Sequence, residues 1–200
     1  MTFPNAASGV KKLFIAEILH IIGMICVAIG GTFTIALSVT DVQSAGAFAG
    51  SGAVAAVGAI VLLVAFIIQF IGLSQASKDE SQFLKSAFTF AIVGIIIAIA
   101  SAFFPFFYFV REIIVLFIFW FTIAGIMELA ARLGDEDVLS FGKKTSYIIL
   151  ATYIIGIILA FLQFTPIASV LGIISVVLEL IGIICVLVFY AKAKNMLETK

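Results

Sequence analysis

Residues 145–191, TSYIILATYIIGIILAFLQFTPIASVLGIISVVLELIGIICVLVFYA, carry a single charge, Glu179, in 47 positions. A helix crosses ~30 Å of hydrocarbon with about 20 apolar residues, so this stretch is too long for one crossing and must turn back once. Gln163-Phe164-Thr165-Pro166 supplies the break. Proline cannot continue a helix, and it biases the residue before it away from the α region. The stretch therefore reads as a membrane hairpin, with spans over residues 145–164 and 167–191.

The same argument extends outward. Residues 86–131 are again too long for one span, and the only corner available is Phe103-Phe104-Pro105-Phe106-Phe107-Tyr108-Phe109, followed by Arg111-Glu112. Its aromatic density fits a belt at headgroup level. Residues 13–37 and 53–76 form two more apolar runs, separated by the small, Gly-rich segment SVTDVQSAGAFAGSG, which reads as a loop. The expectation is an all-α, polytopic membrane bundle forming one domain over residues 1–200. Its six spans cover about residues 13–37, 53–76, 86–104, 112–131, 145–164 and 167–191, arranged as three hairpins. A basic foot followed by Gly recurs at Lys12 and Gly23, Lys85 and Gly94, and Lys144 and Gly156, which suits three related hairpins.

Composition excludes a soluble domain. The chain is 64% hydrophobic and 11% charged, with mean hydropathy +1.34. An ordinary globular domain is nearer half apolar and a quarter charged. Net charge is zero, so no basic surface for nucleic acid is expected. Cys26 and Cys185 lie inside apolar runs and read as small packing residues. With His20 as the only histidine, neither a metal centre nor a cofactor is expected. The first apolar run also outlasts the roughly 7–15 residues of a signal-peptide core, so it reads as a retained span.

Charge sets the orientation. Lys11, Lys12, Lys78, Lys85, Arg132, Lys143, Lys144, Lys192, Lys194 and Lys200 all fall on one side of the six-span map, and Arg111 is the exception. Basic residues near span ends stay cytoplasmic, which puts both termini inside, in what reads as a prokaryotic inner membrane. In the two inner loops, Lys78-Asp79-Glu80 and Asp135-Glu136-Asp137 read as acidic caps for the helices that follow.

From Met127 to Lys192 the chain resembles a family of uncharacterised prokaryotic six-span proteins known only as a domain of unknown function. The resemblance rests on MELAARLGDEDVLSF, the basic-footed span KKTSYIILATYIIGIIL, the turn FTPIAS and the final span VLGIISVVLELIGIICVLVFYAK, together with the loop GLSQASKDESQFLKSAFTF. It implies the six-span topology and no activity.

Lipid gives no hydrophobic reward for helix association, so packing faces are marked by small residues. Such faces run through Gly172, Ser175 and Gly182 in the sixth span, Gly23 and Gly30 in the first, Gly58 and Gly72 in the second, and Gly94 in the third. Glu179, His20 and Gln69 fall on these same stripes. Glu179 lies about 18–20 Å above Lys192 by helical rise. An acid at a span centre costs ~2.5–3.5 kcal/mol on insertion scales, so it is expected to face protein or water. Either it is a proton or cation site, or it is a hydrogen-bonded tie between helices. His20 and Gln69 read as lying at similar depth, close enough to bond, with Glu17 one turn below His20 as a relay partner or a packing contact.

Three function classes follow. Ion- or proton-linked transport through a polar interior around Glu179 is the first, with Glu17, His20 and Gln69 as further candidates. A non-catalytic accessory or scaffold subunit is the second, with a homo-oligomer or another membrane protein as partner besides the lipid bilayer. An intramembrane enzyme is the third and is not expected, because no nucleophile or metal is paired with an acid–base group.

Overall fold

A computed structural model describes residues 3–39, 45–79, 81–101, 103–104, 106–162 and 167–199. These residues form six helices and no strand: α1 (Pro4–Val39), α2 (Ala45–Ala76), α3 (Gln82–Ser101), α4 (Phe106–Leu133), α5 (Glu136–Leu162) and α6 (Ile167–Thr199). All six are long and apolar enough to cross a membrane, as expected of a multi-pass membrane protein. Packing is most intimate within the pairs α1/α2, α3/α4 and α5/α6. Weaker contacts join α2 to α3 and α4 to α5, and α6 returns against α1, so the helices close into a ring, with α4 also touching α6.

Several expected boundaries are corrected. Of the segment read as a loop over residues 38–52, residues 38–39 and 45–52 are helical, since α1 runs to Val39 and α2 starts at Ala45, and residues 40–44 lie outside the described residues. Ala is the best helix former, and backbone groups away from water must bond within their own segment, which outweighs the cost of the glycines. The aromatic corner is shorter than expected, because α3 ends at Ser101 and α4 resumes at Phe106, ahead of the Arg111–Glu112 ion pair at 2.9 Å. The predicted break Gln163-Phe164-Thr165-Pro166 lies outside the described residues, as do Pro105 and Glu80, although α5 and α6 end and begin on either side of the former.

Asp79 also departs from expectation. It does not cap α3. Its carboxylate accepts from the Ala6 amide at 2.6 Å and from Asn5 Nδ2 at 2.9 Å, so it caps α1 across the hairpin. Pro4 opens that helix, where its missing N–H costs nothing. The cap of α3 is Ser81, whose Oγ accepts from Leu84 N at 3.4 Å and donates to Glu128 Oε2 at 2.7 Å. The second inner loop follows expectation. Asp135 Oδ1 accepts from Val138 N at 3.1 Å and caps α5. Before it, Gly134 takes φ 68° and closes α4 with paired bonds, Gly134 N to Ala131 O and Asp135 N to Ala130 O, the Schellman pattern.

The core sits at one end of the ring. Leu13, Leu73, Leu84, Ile126, Leu129 and Phe189 are fully buried there. Phe3 and Ala6 from the start of α1 meet the same cluster as Met196 and Leu197 from the end of α6, so both termini lie at this end. α1 has 36 residues and α3 has 20, a difference of about 24 Å at 1.5 Å per residue. The extra turns of α1 and α6 make a plug beyond the span, which packs by the ordinary hydrophobic effect. Away from the plug, side chains such as Ile60, Ile96 and Ile99 stand exposed, as lipid-facing residues do.

Candidate functional site

α1 and α2 run antiparallel and touch backbone to backbone at two levels. A Cβ on Gly9 would stand 2.6 Å from Gly72 O, and one on Gly58 would stand 2.8 Å from Val27 N. Between these two contacts the helices leave a crevice of about 240 Å³. α1 lines it with Leu13, Ala16, Glu17 and His20. α2 contributes Leu62, Ala65, Phe66 and Gln69, and α6 contributes Tyr190. The crevice is therefore shared by three helices, α1, α2 and α6, with His20 and Phe66 exposed at its edge.

Glu17 is the most enclosed carboxylate of this site. Its residue is 7% exposed, it makes no hydrogen bond or ion pair to any described residue, and its side chain lines the crevice. Among the described residues no side-chain oxygen is both sealed and unpartnered, so the Glu17 carboxylate meets the open space of the crevice. Tyr190, 2% exposed, lines the same crevice. His20 is exposed at one end of the crevice.

The expected contact between His20 and Gln69 does not form. The register that sets Gly9 on Gly72 and Gly23 beside Gly58 and Leu62 leaves Gln69 roughly two turns along α2 from the residues facing His20. The two side chains mark opposite ends of one crevice and do not bond to each other.

Glu179 lies elsewhere, about 16 Å along α6 from Tyr190. It occupies the stripe that includes the buried Ser175, Gly182, Val186 and Tyr190, yet it is itself exposed. Ser175 Oγ donates to its Oε1 at 3.3 Å. The carboxylate therefore borders open space on an inward-directed stripe and is not sealed against a neighbouring helix. Tyr153 on α5 is half-buried and packs against the core cluster.

Of the small residues expected to pack, Gly23, Gly58 and Gly72 sit in the α1/α2 contact, and Gly30 is buried on α1. Gly94 meets Ile114 of α4, and Gly182 meets Thr152 of α5, both at ordinary distance. Gly172 lies in α6, with its surroundings outside the described residues. Tyr190 is not among the candidates that the sequence offers. Continuing the stripe of Glu179 by three turns would have found it. Among the described residues, no three His, Cys, Asp or Glu side chains converge as a metal site would need.

Comparison with protein-family models, with curated proteins and with solved structures returns no match.

Proposed function

We propose that this protein carries out ion- or proton-linked transport, with the Glu17 crevice as its binding station and Glu179 as a second station farther along the interior. The single observation behind this reading is Glu17 itself, a largely buried carboxylate that lines a crevice between membrane-length helices and bonds to no other side chain. Ionisable groups within spans are costly and mark ion paths and proton relays. The basic residues at the plug end favour a cytoplasmic position for both termini, and in that orientation the crevice lies nearer the cytoplasmic face and Glu179 nearer the midplane. His20 at the crevice end is a group through which a proton can pass.

The test is flux in sealed proteoliposomes. Imposed H⁺, Na⁺ and K⁺ gradients should dissipate faster with the wild-type protein than in empty vesicles. Glu17→Gln should abolish the difference, and Glu179→Gln should reduce it severalfold. Equal flux from wild type and Glu17→Gln would sink the transport reading and favour an accessory-subunit role.

A further inference from the structure

The crevice suits a particular kind of cargo. Its lining joins one carboxylate, Glu17, to an apolar wall of Leu13, Ala16, Leu62 and Ala65, with two aromatic rings, Phe66 and Tyr190. Divalent metal ions need several oxygen or nitrogen ligands converging on a point. Here Glu17 and His20 are the only carboxylate and imidazole, and Gln69 lies at the far end. The space is also large for a bare monovalent ion, since about 240 Å³ is the liquid volume of roughly eight waters. A body that fills it must be largely apolar, and the Glu17 carboxylate on its wall suits one positive charge. Aromatic faces attract the same charge through their ring quadrupoles.

We infer that the Glu17 crevice binds a small organic ammonium ion, a primary or quaternary amine on a compact apolar body. Its charged nitrogen sits against the Glu17 carboxylate and the Phe66 and Tyr190 rings, and its hydrocarbon sits against Leu13, Leu62 and Ala65. This rests on reading the crevice as the transport station, and it names the class of solute that the station takes. Gln69 and His20, at the two ends, are placed to accept or donate a hydrogen bond to any polar group the solute carries.

The probe is radiolabelled benzylammonium, dialysed against the full-length protein in phosphatidylglycerol nanodiscs, so that no lipid supplies an ammonium. Empty discs serve as the blank. Saturable binding is expected in the wild type, with benzyl alcohol at least tenfold poorer as a competitor. Glu17→Gln should weaken binding tenfold or more, and Glu17→Asp should restore part of it. Phe66 is exposed to open space, so Phe66→Ala leaves the fold standing and should weaken binding severalfold even where Glu17→Gln proves unstable. Benzyl alcohol competing as well as benzylammonium, or binding unchanged in both Glu17→Gln and Phe66→Ala, would overturn the inference. No saturable wild-type binding alongside an H⁺ or Na⁺ flux that depends on Glu17 would discard the ammonium and keep the transport reading. Binding without flux in proteoliposomes would support the ligand and remove the transport step.

Discussion

Glu17 and Glu179 carry the same chemistry in opposite settings. Glu179 borders open space and keeps Ser175 as a neighbour, so its membrane cost is met locally. Glu17 is 7% exposed, is tied to no neighbouring side chain and turns its carboxylate to the crevice. An acidic residue within a span costs ~2.5–3.5 kcal/mol on insertion scales, and an apolar residue of similar size removes that cost. Glu17→Leu is therefore expected to raise the thermal unfolding midpoint of the detergent-solubilised protein by a few degrees while abolishing function. A lowered midpoint, measured by circular dichroism, would mean that Glu17 is a structural tie after all. Hydropathy and the small-residue stripes made Glu17, His20 and Gln69 visible from the sequence, because polar residues inside spans are rare. Their ranking was not visible. Glu179 drew the eye by its depth along one helix, whereas enclosure depends on what the neighbouring helices leave open.

At the scale of elements, the α1/α2 pair is held where backbone meets backbone. Gly58 admits no Cβ, because the atom would lie 2.8 Å from both Val27 N and Val27 Cγ2. Gly156 on α5 has nothing within 4 Å of the same position. Overpacking a tight contact costs about 1–3 kcal/mol, whereas Gly to Ala in an open helix gains about 0.5–1 kcal/mol. Gly58→Ala should accordingly lower the unfolding midpoint and Gly156→Ala leave it equal or higher. The reverse order would show that the α1/α2 contact does not govern stability. The sequence sets Gly58 on a small-residue stripe and leaves Gly156 off one, but how closely a backbone approaches each is decided by the partner helix. The same limit explains the misplaced depth of Gln69, since hydropathy reports how far a residue lies along its own span and not the register of the pair. Helix number was legible because each span meets a uniform medium. Helix ends were not, because α1 and α6 continue past their basic residues into a plug that packs by water-driven burial.

For the whole molecule, the decisive feature is that burial is uneven along the ring. Leu129 and Phe189 near the plug are fully buried, while Glu179 is open although it lies on the inward stripe. A bundle closed at the end holding its termini and looser beyond it presents its interior to one side. In the proposed orientation, with that closed end on the cytoplasmic side, Glu179 should be reached from the opposite face. With Cys26 and Cys185 replaced by Ala, Glu179→Cys is expected to react with a membrane-impermeant maleimide added outside intact cells. Leu129→Cys should react only after denaturation. Prior exposure to benzylammonium should slow labelling of a cysteine at His20, which lies at the end of the crevice, more than labelling at position 179, which lies outside it. Labelling at position 179 solely from the cytoplasmic side, in inverted vesicles, would reverse the orientation drawn from charge. Labelling at neither face would mean that the space beside Glu179 is filled by lipid, and the second station of the proposed path would be lost.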